Sequence, residues 1–462
     1  MNVIFPADIF ENISPFDYRY ATGSEIKKFF SENARIKYQT MVESALARIF
    51  ARKGICSRRV AEEIEKAAME VSAQEVYGEE KIIKHDVRAL VNCIRRRVSN
   101  ESKPFVHLAA TSYDIVDTAN SKRYKDAAEQ LLLPVLLELE KTLIEIALRE
   151  KNTLQIGRTH GQHAEPITFG YSIACYVSRL GARIREIESK KNALVGKFSG
   201  AVGTYNASSL VFENPMGLEN ELMQELGLKA SNSSTQIIEP EPLTDLMHSV
   251  VSTFSVIANL ADDLRHLQRS EISEIAESFG AKQVGSSTMP HKRNPISFEN
   301  IKSFWKAFMP RMTTVYLDQL SEHQRDLTNS ASQRFLGEII IGLVVSAERL
   351  NATLKNLVVD KKNMEKNFEN SKKHSVAEPL YIFLALHGHE NAHEAVREIS
   401  LEAEKNGKTI FEIAKAKKEL KPFFEKFSGK QKEILENPEK YVGLAEKKTE
   451  QICGHWKKEL SI

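Results

Sequence analysis

Apolar residues recur at helical spacing through a long segment in the middle of the chain. They fall alternately four and three residues apart, at Leu243, Met247, Val250, Phe254, Ile257, Ala261 and Leu264. A seam of this kind, held over about three heptads, is typical of a long helix that packs lengthwise in a bundle. The pattern therefore predicts a bundle helix that begins after Pro240 and Pro242.

Three other segments, residues 126–150, 296–319 and 336–357, also have helical patterns. Pro134 lies inside the first of them, and we expect the helix to kink or restart there. Strand patterns are weak, because no stretch alternates for long between turn residues. The chain is therefore predicted to be all-α.

We divide the predicted fold into three regions. These are an N-terminal helical domain (1–110), a central long-helix bundle domain (111–362) and a C-terminal helical domain (363–462). The last region is rich in both Lys and Glu, which indicates short helices with solvated faces. Long helices that expose apolar seams commonly associate, so we expect an oligomer.

Composition limits the classes of function. The chain has 462 residues, with 64 Lys+Arg against 62 Asp+Glu and a net charge of +2, so no charge excess drives it onto nucleic acid or a membrane. Only 21 Gly and 14 Pro are present, which favours long helices with few turns. The N-terminus does not resemble a signal peptide, and no apolar run is long enough to cross a membrane. We expect a soluble, cytoplasmic protein.

The four cysteines, Cys56, Cys93, Cys175 and Cys453, lack metal-like spacing. A disulfide scaffold or a Cys-based zinc site is therefore not expected, and a reducing compartment fits.

The most informative loop reads GSSTMPHKRNP, residues 285–295. Gly285 and the small hydroxyl residues after it suit a loop that moves or lets its backbone approach a ligand. Lys292 and Arg293 can neutralise an anion, and Asn294 offers both a donor and an acceptor. On composition alone, a polar loop between helices is the better interpretation.

As a string, this loop resembles the signature loop of the fumarase/aspartase superfamily, whose members release fumarate by β-elimination or run related chemistry. Two upstream segments occur in the matching order: TSYD at 111–114, preceded by His107, and GRTHGQHA at 157–164. The resemblance implies a homotetramer in which each active site collects residues from three subunits.

Within the superfamily, the chain is most similar to the adenylosuccinate lyase family. The resemblance rests on Arg19-Tyr20, Lys84-His85-Asp86, residues 199–204, residues 234–236 and residues 324–334. Carboxymuconate cycloisomerases have nearly the same signature loop but typically carry an aromatic residue in place of His160. Two departures occur: Ala109 stands where the family usually has Gly, and IIEPEP follows Gln236 in place of an Arg-rich segment.

The resemblance implies a reaction that removes a proton next to a carboxylate and expels a nitrogen. It assigns Ser286 as the base, with Ser287 as the rival, and His160 as the general acid. Lys292 and Asn294 are the candidates that stabilise the charged carboxylate. His85 is expected to steer His160 or the substrate, whereas His107 and His163 fit a structural role equally well.

The implied substrate carries a phosphate and two carboxylates, so cations must gather locally. The candidate substrate-binding residues are Arg19, Tyr20, Lys84, Asp86, Thr111, Ser112, Thr159, Gln236, Ser287, Met289, Arg325, Ser330 and Arg334. The implied function is cleavage of adenylosuccinate, and of the corresponding succinyl-carboxamide ribotide, in purine biosynthesis. The scheme needs no metal and no organic cofactor.

Three alternatives stay open. One is another lyase or cycloisomerase of the superfamily, acting on argininosuccinate, aspartate or a muconate. The second is a non-catalytic helical scaffold that keeps the motifs as packing. Arg95, Arg96 and Arg97 could start a nucleic-acid-binding hypothesis, but three arginines in a balanced chain more often form a solvated face.

Overall fold

The computed structural model describes residues 12–21, 25–280, 282–289 and 291–462. Helices dominate these residues, and the strands among them form three two-stranded sheets. The all-α prediction is confirmed. The N-terminal residues 1–11, which we expected not to form a signal peptide, lie outside the described residues.

The helices that precede the first strand are α1 (Lys27–Phe30), α2 (Glu32–Arg52), α3 (Arg58–Glu70), α4 (Ala73–Ile83), α5 (Asp86–Arg95), α6 (Ser112–Ala127) and α7 (Leu133–Arg149). The middle of the chain contains β1 (Leu154–Thr159), β2 (Gln162–Thr168), α8 (Phe169–Lys191), β3 (Val195–Gly196), α9 (Pro215–Glu225), β4 (Lys229–Ala230) and α10 (Glu241–Leu267).

Next come β5 (Ile275–Ala276), α11 (Ile296–Phe308), α12 (Arg311–Leu317), α13 (Gly337–Lys355) and β6 (Val358–Val359). The C-terminal helices are α14 (Lys361–Lys372), α15 (Ala377–Leu386), α16 (Ala392–Asn406), α17 (Ile410–Ala416), α18 (Lys421–Lys426), α19 (Gly429–Glu436) and α20 (Ala445–Leu460). Strands β1 and β2 are antiparallel, as are β5 and β6, whereas β3 and β4 are parallel.

Helix α10 is the bundle helix that the heptad pattern predicts. Six of the seven seam residues are buried: Met247, Val250, Phe254, Ile257, Ala261 and Leu264. Its 27 residues make it about 40 Å long at 1.5 Å per residue. The seam residues therefore bury one side of the helix along nearly its whole length.

Two prolines set helix boundaries. A π-helical turn, Ala128–Leu132, joins α6 to α7, and Pro134 lies in the first turn of α7. The helix therefore restarts where the sequence predicts it. The single helix predicted over 296–319 is wrong, because Pro310 separates α11 from α12.

The structure divides into two compact units. The first unit comprises the residues up to Leu136 together with Arg183–Ser255 and Ser303–Glu348. The second unit comprises Leu137–Ala182, Val256–Lys302 and Arg349–Ile462. The three-domain division at 110 and 362 stays a prediction.

Each unit has its own apolar core. In the first unit, buried residues of α2 to α5, such as Ile64 and Leu90, form one cluster. In the second unit, Leu380 of α15 and Ile399 of α16 belong to another. Within the described ranges, every helix is too short or too polar to span a lipid bilayer.

Candidate active site

In the first unit, a buried carboxylate fixes the N-terminus of α6. Asp114 Oδ2 accepts a hydrogen bond from the Thr111 backbone N–H at 2.8 Å. Its Oδ1 accepts from Lys197 Nζ and, at 3.2 Å each, from the backbone N–H groups of Ser199 and Gly200. The side chains of Asp114 and Lys197 are both fully buried. These bonds hold Thr111 against the loop that begins at Lys197.

A second loop, residues 231–238, joins this arrangement. Ser234 Oγ lies 2.6 Å from Ser199 Oγ. Gly203 has φ +82°, and a Cβ there would lie 1.9 Å from the Ser234 carbonyl oxygen, so only glycine fits. The Gln236 N–H donates to the Gln324 carbonyl at 3.2 Å. Gln236 is thus brought beside the segment that carries Arg325.

Arg325 lies against an aromatic residue of α6. Its guanidinium carbon is 3.4 Å from the centroid of the Tyr113 ring, and its Nη2 donates to the Tyr113 hydroxyl. Burial raises the pKa of Tyr113, although the positive charges of Arg325 and Arg334 oppose the shift. Arg334 and Asp86 both act electrostatically on Tyr113, so both lie near it. Tyr113 therefore contacts Arg325 directly, and the charges of Arg334 and Asp86 also affect its pKa.

Asp117, one turn further along α6, is also buried. Its Oδ2 accepts from the Ile238 N–H at 3.0 Å. Burial raises the pKa of Asp117 to about 7, against the opposing effects of that hydrogen bond, Lys197 and Arg325. A small cavity of about 60 Å³ lies between Asp117, Ile238 and Asn329.

The Lys84-His85-Asp86 segment is an exposed turn. Lys84 ends α4 in the left-handed conformation, with φ +61°. His85 caps α5, because its Nδ1 accepts from the Arg88 N–H at 3.3 Å. The side chains of His85 and Asp86 are about half and a third exposed, at 54% and 38%. This turn therefore presents its charged groups at the surface of the first unit.

Arg19 and Tyr20 occupy a short π-helical turn, Phe16–Tyr20. The Tyr20 ring packs edge-on against Phe304 of α11, with centroids 4.7 Å apart, and Arg19 is exposed. Within the described part of the chain, no hydrogen bond or ion pair joins this turn to Arg325.

His107 has a structural partner. Its Nδ1 lies 2.6 Å from Glu43 Oε1, and Glu43 is buried. Burial lowers the pKa of His107, but the Glu43 carboxylate more than offsets this and the net shift is upward. The structure thus supplies the structural role that the sequence left open for this histidine. Ala109, two residues later, has φ +59°, a conformation that explains why glycine is usual there.

In the second unit, His160 lies at the tip of a β-hairpin. Thr159 pairs with Gln162, so His160 and Gly161 form a two-residue turn. Both have positive φ, +53° and +73°, as a type I′ turn requires. His160 and Thr159 are exposed. The hairpin was not predicted from the sequence, although a Gly at the second position of the two-residue gap between Thr159 and Gln162 is a turn signal.

His163, on β2, is held by α14. Its Nδ1 is hydrogen-bonded to Ser371 Oγ. Burial and the nearby Arg158 lower the pKa of His163. A cavity of about 610 Å³ opens beside this contact, between the hairpin and the α14–α15 segment.

In the second unit, the two ends of the signature loop contact each other. Asn294 Nδ2 donates to the Gly285 carbonyl at 2.9 Å. A Cβ at Gly285 would lie 2.0 Å from the Lys292 carbonyl oxygen, so the close approach requires glycine. Lys292 and Met289 are exposed, and Pro290 lies outside the described residues.

The two serines of this loop differ. Ser286 Oγ accepts from the backbone N–H groups of Thr288 at 3.3 Å and Met289 at 3.0 Å. Amide donors that converge on an oxygen favour negative charge there. No hydrogen bond of the Ser287 side chain occurs within the described residues. These amide bonds distinguish Ser286 from Ser287, and the choice between them as the base stays a prediction.

The predicted residues therefore fall into two groups. The first unit contains Arg19, Tyr20, Lys84, His85, Asp86, Thr111, Ser112, Gln236, Arg325, Ser330 and Arg334. The second unit contains Thr159, His160, Ser286, Ser287, Met289, Lys292 and Asn294. Sequence reasoning missed Tyr113, whose position directly after Thr111-Ser112 was the available signal. Among the described residues, no cluster of three or more His, Cys, Asp or Glu could hold a metal ion.

Family comparisons cover nearly the whole chain. The family described as "Lyase" matches residues 20–307, and the one described as "Adenylosuccinate lyase C-terminal" matches residues 321–441. The adenylosuccinate lyase of Pyrococcus abyssi is 35% identical over 454 residues, covering 94% of this chain and 99% of the relative. That of Archaeoglobus fulgidus is 34% identical over 447 residues, covering 95% and 98%.

Solved structures share the fold. The 3-carboxy-cis,cis-muconate lactonizing enzyme from Pseudomonas putida aligns with a TM-score of 0.83 at 22% identity, covering 95% of this chain and 98% of that one. A fumarate lyase from Mesorhizobium sp. BNC1 aligns with a TM-score of 0.80 at 25% identity, covering 93% and 97%.

Proposed function

The chain belongs to the adenylosuccinate lyase family, and from that premise we propose that it cleaves adenylosuccinate into AMP and fumarate. The observation that carries the chemistry is the pair of amides that converge on Ser286 Oγ. They stabilise the ionised oxygen, which a serine needs in order to act as a base. We extend the proposal to the succinyl-aminoimidazole-carboxamide ribotide, which presents the same succinyl group.

The reaction starts at the carbon next to a carboxylate. Ser286 takes the proton, and the negative charge that develops on the carboxylate faces Lys292 and the second N–H of Asn294. The carbon–nitrogen bond then breaks, and His160 protonates the departing nitrogen. His85 steers His160 or the substrate. Thr159 lies in the same hairpin as His160, and Ser287 and Met289 lie in the signature loop. All three contact the succinyl group.

The first unit supplies the groups that hold the rest of the anionic substrate. Arg19 and Tyr20 grip the phosphate, and Arg325 and Arg334 add fork-shaped cationic donors. Polar and charged contacts come from Lys84, Asp86, Thr111, Ser112, Gln236 and Ser330. The packing of Arg325 on Tyr113 supports this role, because it orients the guanidinium before substrate arrives.

Neither unit holds both sets of groups. As the resemblance to the superfamily implies, we propose a cytoplasmic homotetramer in which subunits share each active site, with domains at 1–110, 111–362 and 363–462. This arrangement combines the acid and base of the second unit with the cations of the first.

The test is the change in ultraviolet absorbance when purified protein meets adenylosuccinate. We expect turnover with adenylosuccinate and the ribotide, but not with argininosuccinate, aspartate or 3-carboxymuconate. An inactive wild-type protein, or a preference for one of the other substrates, contradicts the proposal. Arg19→Ala offers a second check, because it should impair only phosphate-bearing substrates.

A further inference from the structure

A short strand segment of the second unit has a carboxylate at each end. Glu274 precedes β5 and Glu277 follows it. The two side chains bind different elements, one the hairpin that carries His160 and the other the helix that follows the signature loop. Neither residue belongs to the predicted site, and neither has a part in the chemistry proposed above.

Glu274 anchors the hairpin. Its side chain is fully buried and receives four hydrogen bonds from three residues. Arg158 Nη2 donates at 2.6 Å and Nη1 at 3.2 Å, Gln155 Nε2 donates at 2.8 Å, and Asn367 Nδ2 donates at 3.0 Å. A carboxylate buried this deeply is stable only with such donors. Arg158 lies two residues before His160. The ion pair between Arg158 and Glu274 therefore holds the strand that leads into the turn with the His160 imidazole.

Glu277 anchors the other element. Its Oε1 accepts from the backbone N–H groups of Ser297 and Phe298, both at 2.9 Å. These are unpaired donors of the first turn of α11, where a negative charge is also favoured by the helix dipole. The Glu277 N–H donates in turn to Gln268 Oε1 at 2.9 Å, which ties the segment to the end of α10. Since α11 begins directly after Asn294 and Pro295, Glu277 fixes the end of the signature loop.

We propose that Glu274 and Glu277 are positioning residues: they hold the general acid and the signature loop in place from one rigid strand segment. The inference rests on the proposed function. Neither carboxylate contacts substrate, and each acts through its negative charge on a group that must not move. The Arg158 fork matches an ionised partner with two acceptor oxygens, and a negative charge at the α11 amides is favoured by the helix dipole.

The main test is Glu274→Gln in the full chain. An amide keeps the shape but loses the charge and one acceptor, so Arg158 loses its two-point contact. We expect kcat to fall by about tenfold to a hundredfold while KM changes by less than about threefold, because misplacement of a catalytic group affects the chemical step. The pH profile of kcat should shift as well, since His160 occupies a new environment. Glu274→Asp should recover part of the loss.

The matched control is Glu150→Gln. Glu150 is also a buried carboxylate of the second unit, and it accepts from Arg149 at 2.7 Å, Thr153 at 2.6 Å and Lys361 at 3.0 Å. Its variant should lose thermal stability but keep kcat and the pH profile. Glu277→Gln should behave like Glu274→Gln, in that kcat should change more than KM.

Arg158→Lys provides a second route if Glu274→Gln does not fold. It keeps the charge pair but removes the fork, and it should lower kcat with little change in KM. If Glu274→Gln or Arg158→Lys folds and keeps the wild-type kcat and pH profile, the positioning role is overturned while the proposed function stands. An inactive wild-type protein overturns both.

Discussion

The two units fix their functional residues in different ways. In the first unit, Arg325 is packed on Tyr113, and Thr111 is tied to the buried Asp114. In the second unit, His160 and Lys292 are exposed at the tip of a hairpin and in a loop. Direct contacts therefore hold Arg325 and Thr111 in the first unit, whereas the reactive groups of the second unit lie at exposed positions.

The two units differ in what holds their functional side chains in position. Among the proposed substrate-binding cations, Arg325 keeps its orientation through direct packing on Tyr113. The exposed reactive groups owe theirs to supports outside the catalytic set, such as Glu274 beneath the hairpin. Changes in the first unit should therefore act on affinity, and changes in the second on the chemical step.

The largest expected effect is on chemistry in the second unit. His160→Asn removes the general acid but keeps a residue that tolerates positive φ, so the turn should survive. We expect kcat to fall about 10²–10⁴-fold, and the same for Ser286→Ala. Steady-state kinetics measure both. Ser287→Ala is the control for the base, and a larger loss there would transfer the role to Ser287.

The next largest effect is on the stability of the first unit. Lys197→Ala leaves the buried Asp114 carboxylate without its charged partner. Breaking a fully buried pair is expected to lower the free energy of unfolding by about 3–5 kcal/mol. Denaturant unfolding measures this loss. A change below about 1 kcal/mol, the value typical of exposed pairs, would show that Asp114 is held by its backbone donors alone.

Glu140 contrasts with Glu274 within the second unit. It is fully buried and neither carboxylate oxygen has a hydrogen-bond partner among the described residues. Burial raises its pKa from 4.5 to about 9, so the folded protein keeps the proton that the unfolded chain releases. Stability should therefore fall as pH rises through that window. Glu140→Gln should raise the melting temperature at pH 8 but not at pH 4; equal shifts at both would contradict a neutral carboxyl.

Substitution of Arg325 tests whether changes in the first unit act mainly on substrate affinity. Arg325→Ala removes a charged donor and should cost about 1.5–3 kcal/mol of transition-state stabilisation, so kcat/KM should fall roughly 10- to 150-fold, with most of the change in KM. Tyr113→Phe keeps the ring under the guanidinium but loses the hydroxyl, so its effect should be several-fold smaller. If Arg325→Ala lowers kcat alone, the first unit does not act on affinity separately from the chemical step.

The smallest effect is expected at Ala109. Its φ of +59° is a left-handed conformation that costs about 1–2 kcal/mol for a residue with a Cβ. Ala109→Gly relieves this but adds flexibility to the unfolded chain. We expect a net gain of about 0.5–1 kcal/mol in thermal unfolding, with unchanged kcat. A loss of stability would mean that packing of the Ala109 methyl group stabilises the fold by more than its backbone conformation costs.

The helices could be predicted from the sequence because they depend on local pattern, whereas the candidate site residues came from resemblance to a family and stay a prediction. The seam of α10 and the restart at Pro134 are examples of such local pattern. The hairpin was missed because its short strands lack a long alternating pattern, and the contact of Arg158 with Glu274 that anchors it joins residues 116 apart. Pro310 was overlooked inside an otherwise helical segment. Tyr113 and Arg325 meet only through the fold, since 212 residues separate them.

In the proposed function, the reactive groups of the second unit and the cations of the first act on one substrate. A crystal structure of the assembled protein with AMP and fumarate tests this most directly. We predict the nucleotide phosphate within hydrogen-bond distance of Arg19 or Arg325, and fumarate between His160, Ser286 and Lys292 in the same pocket. A nucleotide bound away from the signature loop and the hairpin would contradict the claim.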